Sequence, residues 1–144
     1  MFADRVGHFY ASRFGFPPMA GRLLGYLLVS DSPRQPIDQL SATLLASRSA
    51  VTDAATLLER YRMVQRMRTA GERADRVSLT PVSQQLQQFF DSAVYEEHAL
   101  LYRKGLPLVA DCLPARRAAL QEAIALAEFL AERLPRVMAE WRGQ

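Results

Sequence analysis

Arg48, Ser49, Thr52, Asp53 and Thr56 recur at helical spacing, and all five are short or hydrogen-bonding side chains. On one face of a helix near its N-terminus, such a set can exchange hydrogen bonds with base edges in a major groove. Ser47 stands just before them, where a hydroxyl caps the free backbone N–H groups of a first helical turn. Further on come Arg66, Arg73 and Arg76, with Gly71 between the first and second. Arginines on a thin β-ribbon suit phosphates or a minor groove. From Arg48 to Arg76, seven arginines (48, 60, 62, 66, 68, 73 and 76) face four carboxylates (53, 59, 72 and 75). That leaves the stretch at +3, which is the formal charge of the whole chain. A cluster of this kind is often only a solvated face. What turns it toward a polyanion is the set of elements that carries it.

Those elements are legible. Pro36 and Asp38 suit a helix start, and Ile37, Leu40, Leu44 and Leu45 are the side chains that a first short helix would bury. In a second helix, running from Ser47 to near Tyr61, Val51, Ala54 or Ala55, and Leu58 share one buried stripe. Met63 to Thr69 then reads as one strand, Ala70 to Asp75 as a tip and Arg76 to Thr80 as the return strand. Gly71 permits the positive φ of a tight connection. Two short helices followed by a β-ribbon form the outline of a winged helix-turn-helix.

The remaining chain reads as helices. Residues 2–14 place Phe2, Val6, Phe9, Tyr10 and Arg13 on roughly one side, and Gly15 with Pro17-Pro18 breaks that helix. The next, about Pro18 to Ser30, is apolar around much of its surface, and Gly21 and Gly25 would let a neighbouring helix approach closely. Asp31 to Pro36 reads as a loop. A long helix is expected from Pro81 to about Lys104, interrupted by Gly105 and Pro107, and a last one from Ala115 to Trp141. Leu113, Leu120, Ala127, Leu134 and Trp141 repeat every seventh residue, with Ile124 and Met138 alongside, a pattern suited to a partner helix. Pro135 falls inside it and should kink or end the helix. The expectation is a mainly α fold with a small β-hairpin wing, flanked by N- and C-terminal dimerisation helices. Residues 1–144 would form a single domain, with about 17–80 as the DNA-binding lobe and about 1–14 and 81–144 as the dimerisation region.

Other function classes find little support. His8 and His98 have no metal-ligand spacing, no nucleophile has a base beside it, and no phosphate-binding glycine loop occurs. No catalytic residue, metal or cofactor is therefore expected, and the chain reads as no enzyme. A single Cys112 excludes an intrachain disulfide and fits a reducing, cytoplasmic setting. No apolar run approaches the roughly 20 residues of a membrane span, and no signal peptide is evident.

The segment Gly71-Glu-Arg-Ala-Asp-Arg-Val-Ser-Leu-Thr-Pro81 resembles the wing of the MarR superfamily of winged-helix regulators. Upstream, Phe14-Gly-Phe-Pro-Pro-Met-Ala-Gly-Arg-Leu-Leu-Gly-Tyr-Leu-Leu28 is similar to the GbsR-type branch, in which a Gly-x-Pro element leads into a Gly-Arg-x-x-Gly helix. The resemblance covers about residues 5–90. Where the family often has glycine, before the serine cap and at the exit of the recognition helix, this chain has Leu45-Ala46 and Tyr61-Arg62. The resemblance implies a transcriptional regulator, a repressor before an activator, that binds double-stranded DNA at a pseudo-palindromic promoter site as a homodimer. The alternative is a winged-helix protein-interaction module, which Asp53, Glu72 and Asp75 keep open because carboxylates repel phosphates. Regulators of this type often carry a small-molecule effector pocket, for which Phe9, Phe16, Tyr26, Phe89 and Tyr95 are the candidate aromatics. Such a cage holds a quaternary amine by cation–π attraction. The same side chains are the ordinary content of a small helical core, and core is the favoured reading.

Overall fold

Apolar periodicity becomes helix along most of the chain in the computed structural model, which describes residues 1–32, 34–68, 70–72 and 75–143. The chain divides into two compact units, Met1–Gln85 and Leu86–Gln144. The first holds α1 (Phe2–Phe14), α2 (Pro18–Val29), β1 (Gln35–Pro36), α3 (Ile37–Leu44), α4 (Arg48–Arg60), β2 (Val64–Met67) and β3 (Arg76–Leu79). Its core joins Leu23 of α2, Leu40 of α3, Val51 and Leu58 of α4, and Val64 and Val77 of the sheet, all fully buried. Each such side chain contributes about 1.5–3 kcal/mol by leaving water.

α1 ends at Gly15 with φ 68°, and the Gly15 and Phe16 N–H groups close back on the Ala11 and Tyr10 carbonyls. It packs along α2 through its small residues, Ala3 and Gly7, which are buried. The bulky side read from the sequence is only partly packed: Val6 lies against Gly25 and Tyr10 against the core, whereas Phe2 and Phe9 each keep 51% of their surface exposed. Gly21 and Gly25 are what admit α1, since a Cβ on either would meet the α1 backbone or Val6 at 3.0 Å or less.

The two helix-turn-helix helices form as expected, with one correction. Ile37, Leu40 and Leu44 are buried, but Leu45 is 92% exposed. Leu45 takes a left-handed conformation (φ 51°, ψ 46°) that closes α3 and turns its side chain outward. The Ala46 N–H then donates to the Ser41 carbonyl, and the Ser41 hydroxyl donates to the Ala46 carbonyl. The same device recurs after α4, where Arg62 has φ 53° and the Met63 N–H donates to the Leu58 carbonyl. The two places where glycine is missing from the family pattern are thus the two non-glycine residues with positive φ among those described.

The wing is an antiparallel hairpin, with Val64 opposite Leu79, Gln65 opposite Ser78, Arg66 opposite Val77 and Met67 opposite Arg76. The sheet has a third strand where a loop was expected. Gln35 and Pro36 pair antiparallel with Val77 and Arg76, giving the order β1-β3-β2. A proline is tolerated there because β1 is an edge strand. Gln35 is fully buried and fully occupied: it accepts from the Tyr26 hydroxyl at 3.0 Å and donates to Ser30 Oγ at 2.6 Å and the Ser32 carbonyl at 3.2 Å.

Beyond the wing, the expected single helix over 81–104 is two, α5 (Val82–Phe89) and α6 (Ser92–Arg103). Asp91 breaks it, because its side chain accepts from the Ala93 N–H and caps α6. A short 3-10 helix, Leu106–Val109, follows at the predicted Gly-Pro interruption, and α7 then runs from Pro114 to Arg142. Pro135 lies inside α7 without ending it. In the second unit α6 packs on α7, and Arg103 pairs with Glu128 between them. The seven-residue repeat is used differently from expectation. Ile124, Ala127, Leu134 and Met138 are buried within the chain, whereas Leu126, Phe129, Val137 and Trp141 form an adjoining stripe that is roughly half exposed.

Candidate nucleic-acid interface

The rotation of α4 about its axis is set by what it buries. Val51, Ala54, Ala55 and Leu58 point into the first unit, so the positions between them face outward. Arg48, Ser49, Asp53 and Thr56 are exposed and Thr52 is half-buried, as the spacing required. Ser47 caps the helix, its Oγ accepting from the Ala50 N–H at 3.1 Å. Thr56 donates back to the Thr52 carbonyl at 2.9 Å, which holds its hydroxyl in place and leaves its oxygen free to accept. One face of α4 thus carries a row of short polar side chains at its N-terminal end, where the helix dipole favours negative charge.

The wing arginines are held by carboxylates that sequence reading did not assign to them. Arg76 makes a two-pronged contact with Glu72, Nε and one terminal nitrogen each donating at 2.9 Å. Arg68, absent from the predicted set, donates to Asp75 at 3.2 Å across the base of the tip. Arg66 donates to Glu59 of α4 at 3.2 Å, and the other Glu59 oxygen accepts from the Arg66 backbone N–H at 3.3 Å. Arg48 pairs with Asp38 at 2.9 Å, tying the starts of α3 and α4. Arg73 lies outside the described residues. The Arg76 guanidinium holds the Glu72 carboxyl below its ordinary pKa, and Glu72 in turn raises that of Arg76. Glu72 and Arg76 stand four apart in sequence, and that spacing was the available signal. The Arg68–Asp75 pair follows from hairpin register, which sequence leaves open.

The candidate effector aromatics fall in different settings. Phe9 and Phe16 belong to an aromatic cluster with Tyr10, Phe14 and Tyr61, in which Tyr10 and Phe16 pack half-buried on the core and the other three are exposed; the Phe16 and Tyr61 centroids are 5.0 Å apart. Tyr26 is engaged with Gln35. In the second unit Phe89 is half exposed, and Tyr95 meets His98 edge-to-face at 6.2 Å. Among the described residues no three His, Cys, Asp or Glu side chains gather as a metal site, and no helix is long and apolar enough to cross a membrane.

Known proteins extend this reading. A family model described as "MmpR5-like MarR family transcriptional regulator" matches residues 84–144. The HTH-type transcriptional regulator MmpR5 of Mycobacterium tuberculosis (strain ATCC 25618 / H37Rv) is 35% identical over 80 residues, or 56% of this chain and 48% of that one. The chain therefore spans about half the length of this curated relative. A crystal structure of a transcriptional regulator superposes with a TM-score of 0.82 at 26% identity, covering 99% of this chain and 97% of the other. With an outward polar face on α4, a paired β-hairpin after it and long helices beyond, the chain has a winged helix-turn-helix fold and is similar to transcriptional regulators of the MarR family.

Proposed function

We propose that this protein represses transcription by binding a pseudo-palindromic promoter site as a homodimer. The observation that carries the reading is the outward row on α4, exposed at Arg48, Ser49, Asp53 and Thr56 and half-buried at Thr52, in one compact unit with the wing. Ser49, Thr52, Asp53 and Thr56 read base edges, while Arg48, Arg66, Arg73 and Arg76 meet phosphate or the minor groove. A single α4 reads too few base pairs for a unique site. A two-fold pair of chains places two recognition helices about 34 Å apart, one turn of DNA. Dimerisation is supported by the apolar surface left on the second unit, where Leu100, Leu101, Leu126 and Phe129 are each more than half exposed. Within the family, the Phe14–Leu28 element supports a GbsR-type assignment through its Gly21-Arg22-x-x-Gly25 helix.

The test is fluorescence anisotropy on DNA from upstream of the protein's own gene, against scrambled DNA, across a salt series. Sequence-selective binding that weakens steeply with salt, by about 0.9 in log–log slope per phosphate contact, is the expected result. Arg76→Ala should weaken binding to both DNAs and reduce that slope while the dimer persists in light scattering. Affinity for a protein with no DNA binding at low salt would instead mark a protein-interaction module.

A further inference from the structure

The helix-and-wing surface counts as strongly basic only if its arginines are available, and four of them are already occupied. Arg48, Arg66, Arg68 and Arg76 each hold a carboxylate of the same unit, at 2.9, 3.2, 3.2 and 2.9 Å. The Arg76–Glu72 contact is the most complete. Two parallel N–H groups of one guanidinium face the two oxygens of one carboxylate, at 2.9 Å each. A guanidinium presents the same fork to a phosphate. Both partners keep 37% of their side-chain surface exposed, so a phosphate can reach the arginine by displacing the glutamate. Arg68 and Asp75 form a second pair next to it through a single contact, Nε to one carboxylate oxygen, with 64% and 34% exposed.

We propose that Glu72 and Asp75 act as built-in phosphate substitutes on the wing, which hold back sequence-independent DNA binding and so set the selectivity of the α4 reading face. This deepens the DNA-binding reading and rests on it. Any duplex offers phosphates, so a wing of open arginines would bind every sequence alike. When each arginine must first give up a carboxylate, the wing contributes less, and the base contacts of α4 decide a larger share of the difference between sites. Exposed ion pairs are weak, so the exchange remains available when α4 is seated on its site. After exchange the released carboxylate lies beside the DNA and continues to oppose binding.

The test is a double-mutant cycle read by anisotropy on the specific and the scrambled duplex: wild type, Glu72→Gln, Arg76→Gln and both together. All four differ only at exposed side chains, and a melting curve for each establishes that it is folded. Glu72→Gln is expected to tighten binding to both duplexes, between about twofold and fivefold, with the larger gain on scrambled DNA, so that selectivity falls. In the Arg76→Gln background the same Glu72→Gln change is expected to give less than half that gain, because the carboxylate acts through the arginine. A parallel cycle with Asp75→Asn and Arg68→Gln should behave alike. Unchanged affinity in both carboxylate variants, with a wild type that does bind DNA, would overturn the proposal while leaving the DNA-binding reading intact. A full gain that persists without Arg76 and Arg68 would also overturn it, since that is the effect of net charge alone. No DNA binding by the wild type at low salt would remove the reading underneath and the proposal with it.

Discussion

Gly21 meets Gly7 where α2 crosses α1, so closely that a methyl on Gly21 would lie 2.6 Å from the Gly7 Cα and 2.8 Å from the Val6 carbonyl oxygen. Both neighbours are backbone and cannot rotate away. Gly21→Ala therefore has to push the helices apart, and overpacking of this kind costs about 1–3 kcal/mol. The better helix propensity of alanine offsets only about 0.5–1 kcal/mol of that. A lower urea midpoint with an unchanged m-value is the expected result. Gly25→Ala, which meets Val6 Cβ at 2.9 Å and the Ala3 Cα at 3.0 Å, should cost less. Equal stability of Gly21→Ala and wild type would mean that α1 does not sit this tightly on α2.

Arg22, the other named residue of that motif, bridges three elements. Its Nε donates to Asp4 of α1 at 2.8 Å, and a terminal nitrogen donates to the Leu44 carbonyl at the end of α3 at 3.1 Å. Asp4 is half exposed and would return to water if released. The Leu44 carbonyl belongs to a buried residue at a helix C-terminus, where a cation is favourable. Arg22→Met should thus cost about 1–3 kcal/mol through the unsatisfied acceptor, whereas Asp4→Asn should cost under about 1 kcal/mol. Amide exchange at Leu45–Ser47 should quicken in Arg22→Met alone. Equal losses in the two variants would place the value of Arg22 in its pair with Asp4.

Leu45 and Arg62 make a further prediction. Each holds a left-handed backbone that costs a non-glycine residue about 1–2 kcal/mol. Leu45 is 92% exposed, so Leu45→Gly forfeits almost no packing. The greater freedom of glycine in the unfolded chain takes back about 0.5–1 kcal/mol. The net expectation is a stabilisation of about 0.5–1 kcal/mol, seen as a higher melting temperature. Arg62→Gly should act in the same direction, and a loss of stability at both positions would contradict their left-handed conformation.

The parts of this molecule that sequence reading reached are those where one physical rule dominates. Val51, Ala54, Ala55 and Leu58 had to be buried together at helical period, which places Ser49, Thr52, Asp53 and Thr56 outside. Ser47 could be named as a cap because little else competes for a serine at that position. Leu45 escaped because nothing in its side chain signals a left-handed turn, and apolar character alone argued for burial. Asp91 escaped because the apolar residues around it, Leu86, Phe89, Phe90 and Val94, kept helical period through the break. The heptad in α7 was legible as a buried stripe, but periodicity does not say whether the covering surface comes from the same chain. The carboxylates holding Arg66, Arg68 and Arg76 depend on side-chain rotamers and hairpin register, neither of which a charge count contains.

Glu72 gives the wing an acid response whose sign can be worked out. Hydrogen bonding to Arg76 lowers its folded pKa below the ordinary carboxylate value; desolvation opposes this in part, and direct charge attraction to the same guanidinium adds a smaller lowering. Arg76 moves upward for the matching reason, so the two partners agree. A depressed carboxyl pKa means that the unfolded chain binds more protons than the folded one across the window between the two values. The stabilisation is complete above the unfolded value, about 4.5, and is lost as pH falls through the lower folded value. Melting temperatures measured from about pH 6 to pH 3 should therefore fall less steeply for Glu72→Gln than for wild type. Near neutral pH the Gln variant should be slightly less stable, and the difference should close in acid. A wild-type acid limb identical to that of Glu72→Gln would mean that the Glu72–Arg76 fork does not persist in solution.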